Sequence, residues 1–346
     1  MRAAGVTKKE RVKRALSHQE TDIVPFSVDF TEEEYKKIAE YLNDPYFGEK
    51  INNHIDTAYY SGFSEGLSRE VKPGHIADDF GVVWNRSGPD KDIGVIENFV
   101  MPEPDMKYYP RPLLDFEQME RDYEAVMGRA QDLFKFGSIG FTMFERAWTL
   151  RGMENLLTDM VLEPGFVHEL MDTICEFNLK IIDLALTFEI DGFHFGDDWG
   201  QQKGLIMGPD HWRTFIRPRM AKMFKRVKSK NKFISLHSCG DISEIFGELA
   251  DIGLDCYQTF QPEIYDIKKV KAEHGGRLSF WGGISTQRML PFETPDGVRE
   301  KTAEIMRIMK KGGGYIAAPT HSMPYDIPAE NAVAMIEVFE NQQKYL

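Results

Sequence analysis

The stretch KNKFISLHSCGDI, Lys230 to Ile242, sets a histidine and a cysteine two residues apart at the end of a short apolar run. If that run is a strand, His237 and Cys239 point to one side of it, because strand side chains alternate with a period of two. Neutral imidazole and thiolate are the nitrogen and sulfur donors that Zn²⁺ takes in tetrahedral sites, and the ion would hold the cysteine deprotonated. A buried cysteine beside a helix-capping histidine fits the same letters, and the pair alone does not separate the two readings. A metal needs a further ligand, and the remaining cysteines are poor sources of one. Cys256 falls inside an apolar run, while Cys175 sits in the helical pattern LMDTICEF, where a core position suits it.

Such donors need a scaffold that brings distant segments to one rim. From about residue 120 the runs FKFGSIGFT, IDGFHF, KFISLH, LDCYQTF, RLSFWGG and GGYIAAP alternate with helix-like segments. Helices are predicted over Gly165–Thr187, Pro209–Lys228, Ile242–Ile252, Thr294–Lys310 and Pro328–Asn341, the last two opening with the proline or acidic residues favoured in a first turn. Six successive βα units, with one or two upstream, predict an α/β fold, a closed (β/α)8 TIM barrel forming one domain over residues 1–346. Residues 1–120 supply an N-terminal elaboration and the first strands, and 121–346 the regular units. Thr7-Lys-Lys-Glu10 is a capping box that opens a helix to about Leu16. IVPFSVDF and FGVVW are strand candidates in an otherwise irregular stretch. No GxGxxG follows any strand, which argues against a dinucleotide-binding sheet.

In such a barrel, chemistry gathers where strands end. Four polar clusters stand there: GDDWGQQ, HSCGD, QPEIYD and PTHSMPYD. His321, directly after the last strand candidate, is the best placed third metal ligand; its alternative is a loop histidine capping the next helix. Asp197 and Asp198 are two adjacent carboxylates without a neighbouring cation in sequence, so at least one is expected to face the active site, against the alternative of an N-cap. Asp326 and Asp241 fit helix caps equally well. Gln261 and Glu263 are rim candidates. Trp281, Tyr257 and Phe260 lie on strands, where aromatic residues are usually core. Glu145 and Arg146 in FTMFERAW read either as a structural strut or as a substrate clamp.

The chain carries a formal charge of −13 over 346 residues, which disfavours a nucleic-acid partner; the KRVKSKNK run reads as the solvated end of a helix. Three cysteines without a stapling pattern fit a reducing cytoplasm. The N-terminus has no apolar signal-like stretch, and no later run approaches the length that crosses a membrane. A homo-oligomer is compatible with all of this.

Together, TKKERVKRALSHQETDIVPF, FERAWTLRGMENLL, DGFHFGDDWGQQKGLIMGPDHWRTFIRPR, LHSCGDI, LSFWGGISTQ and GGGYIAAPTHSMPYDIPAEN resemble the uroporphyrinogen decarboxylase superfamily over nearly the whole chain. Within it they resemble the zinc-dependent, corrinoid-linked methyltransferases. True decarboxylases of the superfamily carry an MRQAGR-type motif whose arginines hold substrate carboxylates, whereas this chain has PFSVDFTEEEYKK there, without arginine. The methyltransferase resemblance implies zinc at His237 and Cys239, with His321 standing where those proteins have a cysteine. It further implies a corrinoid (cobalamin) on a separate partner protein and a small O- or N-methyl substrate, with Asp197, Asp198 and His321 catalytic and Glu145, Gln261, Trp281 and Asp326 around the substrate. The expected activity is methyl transfer as the demethylating component. The alternatives are a metal-independent, decarboxylase-like lyase using His321 and Asp197 as acid and base, and a catalytically silent barrel that only binds a corrinoid protein.

Overall fold

The computed structural model describes residues 6–60, 62–63, 68–88 and 94–346. Seven strands carry the architecture: β1 Ile55–Tyr60, β2 Phe134–Ile139, β3 Gly192–Gly196, β4 Phe233–His237, β5 Cys256–Thr259, β6 Ser279–Ile284 and β7 Tyr315–Pro319. The helices used below are α1 Lys8–Leu16, α2 Glu32–Leu42, α3 Phe144–Arg151, α4 Pro164–Ala185, α5 Arg217–Lys228, α6 Pro295–Met309 and α7 Ala329–Glu340. Among the described residues no helix is long and apolar enough to cross a membrane.

The chain divides into two compact units. The first comprises Met1–Asp56, Ala130–Lys135 and Ser238–Leu346, the second Thr57–Arg129 and Phe136–His237. In the second unit the strand order is β1-β2-β3-β4. Parallel register sets Ser138 beside His194 and His194 beside Ser235, so these three share one row. On β3, Gly192, His194 and Gly196 share one face, while Phe193 and Phe195 on the other are fully buried. Phe195 packs on Phe224 of α5, with ring centroids 5.1 Å apart. This face-to-helix packing fixes which β3 side chains are left for chemistry. A four-stranded antiparallel sheet, Arg69–Lys72, His75–Ala77, Val83–Asn85 and Val95–Ile96, also belongs to this unit; FGVVW supplies its third strand.

In the first unit, β5, β6 and β7 pair in parallel order. β6 and β7 are buried at every position, as parallel strands covered on both faces are. IVPFSVDF is not a full strand: its extended backbone makes two isolated parallel bridges, Phe26 to Ala317 and Phe30 to Met323, the first with hydrogen bonds of 3.0 Å from Ser27 N to Ala317 O and 2.9 Å from Ala317 N to Pro25 O. Pro25 has no N–H to extend the ladder.

The Thr7 hydroxyl caps α1 by accepting from Glu10 N at 3.1 Å, as the capping box predicts. The helix predicted over Pro209–Lys228 is broken in the middle, where Trp212–Ile216 form a wider π turn. Pro218 cannot donate to the carbonyl four residues back, and Arg219 Nη1 reaches that Thr214 oxygen instead at 3.3 Å.

Candidate metal centre

Strand β3 runs into Asp197 and Asp198, and the two neighbours do different work. Asp197 is fully buried. Its carboxylate accepts Phe144 N and Glu145 N, both at 2.9 Å, and Trp199 Nε1 at 2.5 Å. A carboxylate at the first turn of α3 meets unpaired amides and the positive end of the helix dipole. Burial pushes its carboxyl up to about 6, against the pull of those donors. Asp197 N donates to His237 O at 3.0 Å, which ties the end of β3 to the end of β4. Asp197 thus anchors the start of the helix that carries Glu145.

Asp198 is half-buried, and its Oδ1 lies 3.6 Å from Nε2 of the half-buried His237. That is long for a hydrogen bond. Two ligands about 2.05 Å from one tetrahedral zinc would stand about 3.3 Å apart, so the imidazole and carboxylate fit as neighbours in one shell. His237 also faces the His194 ring, with centroids 6.5 Å apart. Burial, then the neighbouring His237, pushes His194 down to about 3 and keeps it neutral.

The Glu145–Arg146 pair resolves into two unrelated roles. Arg146 is buried and paired with Asp78 at 2.8 Å, with its guanidinium 3.9 Å from the Phe80 ring centroid. Asp78 further accepts Phe80 N and Val82 N at 2.9 Å and Trp84 Nε1 at 3.2 Å. This is a strut. Glu145 instead accepts the Asp198 amide, and burial followed by Asp198 and Asp197 holds its carboxyl well above the ordinary range. Tyr59 is largely exposed as a residue, but its hydroxyl tucks in at Gly140, where a Cβ would lie 2.2 Å from it; desolvation of that hydroxyl and the neighbouring Glu145 push the phenol up to about 12.

The chain continues from His237 into the first unit through Ser238, Cys239 and Gly240. Cys239 is half-buried and outside any disulfide, and its thiol is a donor type that zinc takes. Ser238 N donates to Gln258 O at 2.8 Å, and the Tyr257 hydroxyl donates to Ser238 O at 2.8 Å. Gly240 turns the chain at φ +77°, a conformation that favours glycine. Its N–H donates to Gln261 Oε1 at 3.1 Å, and its carbonyl accepts from the Tyr265 hydroxyl at 2.7 Å. Gln261, expected at the substrate, is therefore 7% exposed and holds the turn that presents Cys239. Asp241 accepts Ser243 N at 3.0 Å, the capping role open to it in sequence.

Other expected residues belong to the first unit. Trp281 is buried and donates to Ser27 Oγ at 2.9 Å. His321 and Asp326 are exposed on the segment after β7. The Glu263 carboxylate takes the Ser285 hydroxyl. Cys256 and Cys175 are both core, and burial pushes the Cys175 thiol up to about 11.

Residues 136–342, more than half of the chain, match the family described as uroporphyrinogen decarboxylase (URO-D). The chain belongs to the URO-D family. Curated proteins similar to it carry methyltransferase and decarboxylase names. The methylcobamide:CoM methyltransferase MtaA of Methanosarcina barkeri is 28% identical over 131 residues, covering 38% of this chain and 36% of that protein. The uroporphyrinogen decarboxylase of Psychromonas ingrahamii is 21% identical over 178 residues, covering 51% and 48%. The chain thus spans about a third to a half of the length of these relatives. A solved methyltransferase from Methanosarcina mazei has the same fold, with a TM-score of 0.69 at 17% identity over 97% of this chain and 99% of that one.

Three site features of this URO-D chain escaped the sequence reading. Tyr59 lies on β1, whose IDTAYY pattern buries only two of six side chains. His194 was hidden inside DGFHFG, although alternation with Phe193 and Phe195 was a usable signal. Arg146 was visible but its partner Asp78, 68 residues away, was not.

Proposed function

We propose that this URO-D family chain is a methyltransferase that moves a methyl group between a small O- or N-methyl compound and a corrinoid (cobalamin) carried by a partner protein, acting as the demethylating component. The observation that carries the reading is the 3.6 Å approach of His237 and Asp198 directly before the Cys239 thiol. The methyltransferase names among its relatives agree with it. The reading takes residues 1–346 as one closed (β/α)8 domain.

His237, Cys239 and Asp198 would hold a Zn²⁺ ion, with His321 as the competing third or a fourth ligand. When bound, the ion supplies Lewis acidity at the substrate heteroatom, making it a better leaving group. The protein side of the chemistry falls to α3. Asp197 fixes its N-terminus, and Glu145, buried against the Asp198 amide, can give a proton to the departing oxygen or nitrogen as its bond to the methyl carbon breaks. A cobalt(I) corrinoid on the partner protein would supply the methyl acceptor. His194 and Tyr59 offer neutral hydrogen-bonding groups for orienting an uncharged substrate. The lyase alternative requires Asp197 to meet substrate, whereas both its oxygens are committed to amide and indole N–H donors.

The test is elemental analysis joined to a methyl-transfer assay with a cobalt(I) corrinoid protein over a panel of methylated compounds. About one zinc per chain, lost in His237→Ala and Cys239→Ser together with transfer, is the expected result. A metal-free protein that releases carbon dioxide from a carboxylated compound overturns the reading in favour of a lyase. Tight corrinoid-protein binding without turnover points to a silent barrel.

A further inference from the structure

The segment after β7 is held along its backbone by residues 29–37 of the same unit. Met323 N donates to Asp29 O at 3.0 Å, and Met323 O accepts both Thr31 N at 3.1 Å and the Thr31 hydroxyl at 3.2 Å. The Ser322 hydroxyl donates to the Asp29 carboxylate at 2.6 Å. Lys37 on α2 completes the attachment. Its ammonium donates to the carbonyls of Tyr325 and Ile327, pairs with Glu34, and lies 4.7 Å from the Tyr325 ring centroid.

Two features set Lys37 apart from an ordinary surface lysine. Its three N–H donors match two carbonyls and one carboxylate, whereas most exposed lysines stay solvated and mobile. Its carboxylate partner is fully buried, with a relative side-chain exposure of 0%. A buried carboxylate is costly unless a cation meets it, and α2 has Lys37 one turn away at i+3. The side chains of His321, Tyr325 and Asp326 are nonetheless exposed. The backbone is fixed while the chemically able side chains are left outside.

We propose that Lys37 is a positioning residue that fixes the 321–327 segment so that His321 and Asp326 are presented in one arrangement. This rests on the reading of those two residues as part of the active site. Glu34 serves by fixing Lys37, and Tyr325 by covering its ammonium.

The test compares Lys37→Met, Lys37→Arg and the double variant Lys37→Met/Glu34→Gln, the last of which removes the carboxylate that Lys37→Met strands. Hydrogen exchange of the 321–327 peptide is read alongside methyl-transfer kcat and KM. The expected result is exchange at least tenfold faster in both methionine variants and kcat at least fivefold lower, with lysine-like behaviour restored in Lys37→Arg. In a His321→Ala background, Lys37→Met should lower kcat no further. Unchanged exchange in the double variant overturns the proposal, as does a loosened segment with unchanged kcat and KM. If the parent protein transfers no methyl group, the functional reading has failed, and exchange still decides whether Lys37 fixes the segment.

Discussion

Replacing Arg146 by methionine removes a buried cation while keeping most of its packing volume, and it separates a strut from a substrate clamp. Asp78 would keep three N–H donors, from Phe80, Val82 and Trp84, but would lose the guanidinium at 2.8 Å and remain buried with its charge. Breaking a buried pair from one side costs about 3–5 kcal/mol, and a desolvated cation–π contact at 3.9 Å from the Phe80 centroid adds up to about 2 kcal/mol. The remaining donors place the expected loss near the lower end, about 3–4 kcal/mol. For a unit of this size, about 2–4 °C per kcal/mol predicts a thermal midpoint lower by about 10 °C, read by far-ultraviolet circular dichroism. Adding Asp78→Asn to Arg146→Met should recover part of the loss, because the stranded charge is gone. KM for the methyl donor should stay within about threefold when assayed well below the midpoint. A midpoint within about 2 °C of the parent together with KM raised more than tenfold would refute the strut and make Arg146 a clamp.

His54 is fully buried with no hydrogen-bond partner for either ring nitrogen, and burial pushes it down to about 4. The unfolded chain therefore takes up this proton first, so stability is full above about pH 6.5 and falls as pH drops toward 4, by about 3 kcal/mol in all; urea titrations at stepped pH should show that slope, and His54→Leu should flatten it. Glu145→Gln should lower transfer by about 100-fold, the lower end of what a general acid contributes, with zinc content unchanged by elemental analysis. Gly240→Ala forces a side chain into φ +77° and should cost about 1–2 kcal/mol, while loosening the turn that presents Cys239, seen as faster alkylation of that thiol in the metal-free protein. Asp198→Asn should weaken zinc retention under a competing chelator by at least tenfold.

The strands from β2 to β7 and the long helices were readable because buried parallel strands leave continuous apolar runs, and helices between them leave a 3.6-residue period. What stayed hidden was set by partners distant in sequence. EEEYKK carries no local sign that one of its acids is buried, yet the Glu34 side chain is fully buried and paired with Lys37, which also donates to the carbonyls of Tyr325 and Ile327. The two letters of Asp197-Asp198 cannot say which side chain turns toward α3 and which toward His237, since that depends on the amides of Phe144 and Glu145, 53 and 52 residues earlier. Gln261 looked like a rim residue for the same reason, its amide partner being a glycine 21 positions away. The third metal ligand shows the consequence for function. The family resemblance points to His321 as the proposed third ligand, whereas geometry points to Asp198, whose oxygen stands 3.6 Å from His237. A carboxylate in that shell would leave the ion less electron-rich than a second thiolate and so a stronger Lewis acid, which suits activation of an oxygen or nitrogen leaving group better than activation of a thiol. That donor set, if it holds zinc, is the proposed basis of a demethylating direction.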